Sequence, residues 1–274
     1  MNYLIKEGIL YLEDCIEIEP RQFYENIEIS GIVFPDELKV IGEEAFAGCH
    51  NIESIVLPES VIEIRAGAFF ENTKLKEVKL NKNLEVIGEG AFLSCTNLKE
   101  IDIPEKVKEI PEMCFYGCGL ERVELKENIE TVGDQAFWGN EELKEADILS
   151  PYVRLGLDIF GTCYKLKSGY VAKGYPDEME LYDEILYSLL ALTSYERHNE
   201  EVKEAVREYS KENLKLLMEK ILKTGNTLAL NTLVKTGILN GNVDEYLNKA
   251  FERKQNELVA LLMQVKNDGE DLEL

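Results

Sequence analysis

Six cysteines and two histidines are the side chains of this 274-residue sequence best suited to hold a metal, form a disulfide or supply a nucleophile and its base. Cys114 and Cys118, four apart, offer two metal ligands, and Cys49, Cys95, Cys118 and Cys163 recur at almost constant intervals. His50 falls in a turn and His198 in a polar loop, and neither has a second histidine or a cysteine pair at suitable spacing, so no zinc site is expected. G-x-S-x-G, P-loop and G-x-G-x-x-G signatures are all missing from the sequence. In a chain with 53 acids, paired carboxylates arise without catalysis, so neither an enzyme nor a cofactor is expected.

The elements that carry the cysteines are repeats. Apolar residues stand at Ile18, Ile41, Ile64, Ile87, Ile110, Val132 and Leu155, a step of 23 with one shortened interval between Ile110 and Val132. Five positions after each comes a phenylalanine: Phe23, Phe46, Phe69, Phe92, Phe115, Phe137 and Phe160. Eight positions after each, only two residue types are used: Asn26, Cys49, Asn72, Cys95, Cys118, Asn140 and Cys163. Two apolar columns two residues apart follow, Ile32, Ile55, Val78, Ile101, Val123 and Ala146, then Phe34, Leu57, Leu80, Ile103, Leu125 and Ile148. A spacing of two places both residues on one face of a strand, and Pro35, Pro58 and Pro104 end that strand in three units.

Each unit therefore reads as a short strand, a turn, a second extended piece and a compact helical or 3₁₀ turn carrying Ala-Phe. One such unit cannot bury its apolar face alone, whereas stacked copies can. The Asn/Cys column then has a structural task, bonding backbone groups that a tight turn would leave unsatisfied. Cys114 stands in a column that is otherwise mostly alanine and reads as a small core residue. Free thiols are the expectation, although Cys95 and Cys118, as neighbouring rungs, are close enough for a bridge.

The pattern L-x-x-I-x-I-P…I-G-x-x-A-F-x-x-C, clearest in Leu98-Lys-Glu-Ile101-Asp-Ile103-Pro104 and Ile41-Gly42-Glu-Glu-Ala45-Phe46-Ala-Gly-Cys49, closely resembles the BspA-like leucine-rich repeat family. The resemblance implies a leucine-rich-repeat solenoid over residues 1–175, right-handed and curved, with parallel β-strands on a concave face used for binding. Members of that family are often surface proteins.

Near residues 172–177 the period fails, and Asp177-Glu-Met-Glu180 reads as a capping box. An all-α stacked-helix domain is expected over residues 176–266, with apolar stripes at Leu181, Ile185, Leu189 and Leu192 and at Val202, Ala205, Val206 and Tyr209. An offset of 29 superposes Met218, Ile221, Leu222, Leu230, Leu233 and Val234 on Leu247, Ala250, Phe251, Val259, Leu262 and Met263, which predicts two tandem helix pairs. These pairs resemble degenerate ankyrin-type units, without the T-P-L-H turn or the 33-residue period. Residues 267–274 read as a disordered acidic tail.

The net charge of −23 excludes generic binding to nucleic acid or to an anionic membrane, and leaves basic partners open. No apolar run approaches a membrane span, so membrane insertion is not expected. Lys6 and Glu7 interrupt the first apolar stretch, which predicts a cytoplasmic protein; removal of a leader would make it secreted or surface-bound instead.

Strand residues flanking the inward pair must project from the concave face. In the middle units they are Glu77, Lys79, Glu100, Asp102, Arg122, Glu124, Glu145 and Asp147, an acidic patch with two basic interruptions. Lys76, Lys99 and Lys144 alongside offer partial neutralisation. A second candidate surface is the stripe after the phenylalanine column: Phe70, Leu93, Tyr116 and Trp138. Such side chains either cover a neighbouring turn or dock a partner. The expected function is non-catalytic binding of a protein or peptide, a basic one in particular, on the acidic face. The alternative is a cell-surface adhesion protein for a host or glycan ligand, and self-association through the helical domain is a third possibility.

Overall fold

The computed structural model describes residues 2–150, 153–163, 165–166, 168–169, 189–198, 200–239 and 243–270. The chain divides into two compact units, one of residues 1–144 and 149–164 and the other of residues 145–148 and 165–274. The capping box at residues 177–180, together with Leu181 and Ile185, lies outside the described residues.

The first unit opens with a hairpin, β1 (Asn2–Lys6) and β2 (Ile9–Glu13), paired antiparallel with Leu4 opposite Tyr11. Its two-residue turn, Glu7-Gly8, takes positive φ at both positions (53° and 80°), the twist that a two-residue hairpin needs. From here the chain coils. β3 (Glu17–Ile18), β5 (Val40–Ile41), β7 (Glu63–Ile64) and β9 (Val86–Ile87) form one parallel ladder, and β10 (Glu109–Ile110), β12 (Thr131–Val132) and β14 (Arg154–Leu155) form another. The register pairs Ile18 with Ile41 and Ile41 with Ile64, so the 23-residue period of the sequence is the length of one coil. The other strand of each coil appears in β4 (Gly31–Val33), β6 (Ser54–Val56), β8 (Glu77–Lys79) and β11 (Arg122–Leu125). β2 pairs with β4 and β6 with β8, both parallel.

Between the two strand sets, the Ala-Phe segment closes with 3₁₀-type i→i+3 bonds. Ala45 N–H donates to Gly42 O (3.2 Å) and Ala47 N–H to Glu44 O (3.1 Å), while the intervening Phe46 N–H donates to Ala68 O of the next coil (2.9 Å). Alternate amides thus bond within the coil and between coils. One coil is shorter than the rest, with only Gly119 between Cys118 and Leu120. A Cβ there would lie 2.3 Å from Thr96 O of the preceding coil, so the shortened path needs a glycine.

The core is a column of phenylalanine rings. From Phe23 to Phe160 each ring stacks on the next, with centroids 5.3 to 5.7 Å apart and planes within 24°. Beside it runs the Asn/Cys column, and every side chain in it from Cys49 onward donates to the carbonyl of the preceding coil's phenylalanine. Cys49 Sγ reaches Phe23 O at 2.9 Å, Asn72 Nδ2 reaches Phe46 O at 2.8 Å, and Cys95 Sγ reaches Phe69 O at 3.3 Å. Cys118, Asn140 and Cys163 repeat the bond to Phe92, Phe115 and Phe137. The site requires one donor. Among the described residues Asn72 Oδ1 is buried without a partner, so there a thiol would leave no acceptor unsatisfied, whereas Asn140 uses the whole amide, Oδ1 accepting from Leu120 N–H (3.1 Å) and Nδ2 also donating to Phe137 O (2.8 Å).

All six cysteines are buried thiols with no disulfide among the described residues, Cys114 among them as a core residue. Burial pushes the Cys118 thiol up to about 12 and that of Cys49 to about 11, and holds Cys95 and Cys114 well above the usual thiol range.

In the second unit, β13 (Glu145–Ile148) bridges to Ser168, residues 189–193 are helical, and Tyr195–Arg197 form a 3₁₀ turn. Five helices follow: α1 (Glu200–Glu212), α2 (Leu214–Thr224), α3 (Thr227–Lys235), α4 (Asp244–Glu252) and α5 (Asn256–Glu270). α2 stops at Gly225, whose φ of 66° lets its N–H turn back to Ile221 O, and Asn226 Oδ1 caps α3 by accepting from Ala229 N–H (3.0 Å). α2 packs on α3, α4 on α5, and each pair on the other through α2–α4 and α3–α5, the two tandem helix pairs that the 29-residue offset predicts. Met218, Ile221, Leu230 and Leu233 and their equivalents Leu247, Ala250, Val259 and Leu262 are all buried. α5 continues to Glu270, so residues 267–270 are helical and not the start of a disordered tail.

His198 is buried, with Nε2 2.9 Å from Ser194 Oγ. Burial, with Arg197 and Lys203 nearby, lowers its pKa to about 4. Ser194 Oγ is itself buried and lies 3.0 Å from Leu190 O, so this pair ties a turn together rather than presenting a nucleophile.

Three outcomes follow. Phe92→Ala, which removes a ring stacked on both sides, should cost about 3–5 kcal/mol in urea unfolding followed by Trp138 fluorescence. An aromatic disulfide reagent should find no reactive thiol in the native protein and six after denaturation. The third concerns pH. An unfolded imidazole protonates as pH falls through about 6.5 and the folded one only near 4, so this group's contribution is complete above 6.5 and is lost on acidification. The full loss is on the order of 3 kcal/mol. Melts followed by helical circular dichroism should show stability declining between pH 6.5 and 5, and His198→Gln should flatten that slope.

Candidate binding face

The outward positions of the strand set gather most of the charged residues predicted to share a face. Glu77 and Lys79 lie on β8 and Arg122 and Glu124 on β11, with Glu100 and Asp102 on the coil between them. Glu77, Lys79, Glu100, Asp102 and Arg122 are exposed and Glu124 is half-buried. They line a groove of about 670 Å³ together with Lys76, Val78 and Ile101.

The groove lies where the parallel ladder is interrupted. Glu100–Asp102 belong to no strand, and among the described residues no backbone hydrogen bond joins them to β8 or β11. The coil remains attached at its edge through Glu121 N–H to Lys99 O (2.9 Å). Ile101, in a column expected to be core, is only half-buried there, as is Ile32 at the first coil, while Ile55, Val78 and Val123 of the same column are buried. Like charges on neighbouring strands weaken pairing, and Glu100 follows Glu77 just as Glu124 follows Asp102. The result is an apolar floor of Val78 and Ile101 beneath a charged rim.

The rim is closer to balanced than an acidic patch: four carboxylates face Lys76, Lys79 and Arg122. Lys79 Nζ is 2.8 Å from Glu77 and Arg122 is 3.8 Å from Glu124. Asp102 is held by Lys126 at 2.5 Å, and that ammonium also takes Ile103 O (2.9 Å). The lysines expected to neutralise the patch serve other acids, Lys76 pairing with Glu53 and both Lys99 and Lys144 with Glu121. Glu100 has no ion-pair partner among the described residues.

Glu145 and Asp147 belong to the second unit and depart from the expectation. Glu145 is half-buried and Asp147 is buried at 4% exposure. Arg197, from the 3₁₀ turn, approaches Asp147 Oδ1 to 3.9 Å, so this carboxylate is an internal charge partner and not part of an open face. The covering residue lies 50 positions away in sequence, beyond the reach of a strand-alternation rule.

Phe70, Leu93, Tyr116 and Trp138 are each half-buried. Tyr116 stacks on Trp138 at 4.6 Å, and the indole lies so close over Gly161 of the next coil that a Cβ there would meet its Cδ1 at 2.2 Å. These rings spend much of their surface on neighbouring coils. His50 lies at the surface with Nδ1 2.7 Å from Glu71 O, and among the described residues no group of His, Cys, Asp and Glu is arranged to hold a metal. No helix is long and apolar enough to cross a membrane among the described residues.

One part of this face was not among the residues singled out from the sequence. Leu4, Tyr11, Val33 and Val56 are 58%, 40%, 48% and 58% exposed. Register places Leu4 opposite Tyr11, Tyr11 beside Val33, and Val56 beside Lys79; β4 and β6 are neighbours without ladder pairing, and Val33 and Val56 are one 23-residue period apart, so the four are successive apolar positions leading to the groove. The signal was the alternation in β2, where Leu10 and Leu12 are buried and Tyr11 must face outward.

Comparison with known proteins agrees with this geometry. The first unit resembles the crystal structure of a T. pallidum leucine-rich repeat protein, at 27% identity over 60% of this chain and 87% of that one, with a TM-score of 0.55. Weaker likenesses are a leucine-rich repeat protein of Bacteroides ovatus (19% identity, 61% of this chain and 57% of that one, TM-score 0.39) and a leucine-rich cell surface protein of Faecalibacterium prausnitzii (18%, 64% and 61%, TM-score 0.42). No curated protein matches the chain. The BspA type leucine rich repeat region matches in six copies over residues 16–144 and 68–175, and stops short of α1–α5, which it leaves without a family name. Because that match covers more than half of the chain, the chain belongs to the BspA-type leucine-rich repeat family, a fold generally used for binding.

Proposed function

We propose that this is a non-catalytic binding protein that seats a Lys- or Arg-bearing protein or peptide segment in the groove at Glu100. The observation that carries this reading is the break in the ladder, which opens a groove with an apolar floor and, among the described residues, backbone groups without a ladder partner and one carboxylate, Glu100, without an ion-pair partner. A cation entering beside Glu100 meets Glu77, Asp102 and Glu124, whose exposed ion pairs are each worth under about 1 kcal/mol and exchange at little cost. Lys79 and Arg122 on the same rim supply donors for the segment's carbonyls or acids. The stacked pairs α2–α3 and α4–α5 support reading the second unit as degenerate ankyrin-type units, a separate interaction module.

Fluorescence anisotropy with a labelled hexalysine peptide tests the groove. The native protein should bind it with an affinity that falls as salt rises, and Glu100→Lys with Asp102→Lys should weaken binding by roughly tenfold or more. Unchanged affinity in the double variant would remove the groove from consideration.

A further inference from the structure

The outward face changes character along the stack of coils. One row of side chains at equivalent positions of successive strands and coils runs Leu4, Tyr11, Val33, Val56, Lys79, Asp102 and Glu124, with Asp102 on the coil that forms no strand. Its first four members are apolar and 40–58% exposed; its last three are charged and border the groove. At about 4.8 Å per strand the apolar block spans roughly 14 Å and the whole row roughly 29 Å. Isolated exposed apolar residues are ordinary, but four at equivalent positions of neighbouring strands, in register as Leu4–Tyr11–Val33 and followed one repeat later by Val56 beside Lys79, form a surface that gains by being covered.

We infer that the occupant of this face is a bipartite segment of a basic partner protein, apolar side chains at one end lying on Leu4, Tyr11, Val33 and Val56 and Lys or Arg at the other entering the groove at Glu100. This rests on the reading of the groove as a site for a cationic segment. Charge selects the occupant. A second copy of this chain also carries −23 and would bring acid to acid, and nucleic acid or an anionic lipid would be repelled in the same way. A purely basic segment leaves the apolar row in water, whereas a bipartite one buries it.

Two fluorescein-labelled peptides of equal charge separate the outcomes, one with an alternating Leu, Val and Phe block followed by lysines and one with serines in place of the apolar block. The native protein should bind the first roughly tenfold more tightly. Val33→Ser with Val56→Ser, both on exposed positions, should remove that advantage and leave the serine peptide's affinity unchanged, with the thermal melt confirming the fold. A benzophenone at the apolar end of the peptide should cross-link to residues of β2, β4 or β6. Equal binding of the two peptides by the native protein, an advantage that survives the double substitution, or cross-links confined to the groove would each overturn the inference while leaving the cationic site standing. Binding of neither peptide would overturn both readings.

Discussion

The carbonyl of each core phenylalanine points along the stack, and a buried carbonyl without a donor costs more than most single contacts in a protein supply. From Phe23 to Phe137 each of these carbonyls accepts from the coil further on, through an asparagine amide or a cysteine thiol, and those of Phe23, Phe46, Phe69 and Phe92 also accept the N–H three residues on in their own coil. The bond ties the coils at a fixed pitch: a coil that slid would strand its own buried amide or thiol and also lift its ring off the neighbour below, at 5.3 to 5.7 Å. Because each coil satisfies the one before it, the first unit is a set of nearest-neighbour contacts repeated, which is how a stack of units too small to fold alone becomes stable.

The same constraint allows the outward face to vary. Inward columns carry stacking and donor bonds, so the outward residues are released from structural duty and can accumulate charge at one end and apolar surface at the other. The interruption at Glu100–Asp102 is tolerated because the ring column and donor column continue beneath it: Phe92 still stacks on Phe115, and Cys118 still reaches Phe92 O. A lost pair of ladder bonds then opens a groove instead of breaking the solenoid.

The second unit solves its stacking problem with helices. Leu222 is buried, but its equivalent in the second helix pair, Phe251, is 50% exposed, and Met263, equivalent to the half-buried Val234, is 43% exposed. The pattern of the pair is thus repeated in sequence while the burial of its members differs between the two pairs.

Most of the fold was legible from the residues alone. The 23-residue step, the Phe and Asn/Cys columns, the turn between the strands and the paired helices all reflect interactions repeated from unit to unit, so the sequence states each of them several times over. The outward face repeats nothing, and there the reading was partial. Alternation placed Glu77, Lys79, Glu100, Asp102, Arg122 and Glu124 together, yet it gave no hint that the ladder opens at Glu100, that Lys126 takes Asp102, or that Arg197 buries Asp147. By itself the sequence determined the coil and its core, because stacking obliges the same residue types to recur. Tertiary structure alone decided which charges stay open, because that depends on backbone bonds between coils and on side chains arriving from elements far along the chain.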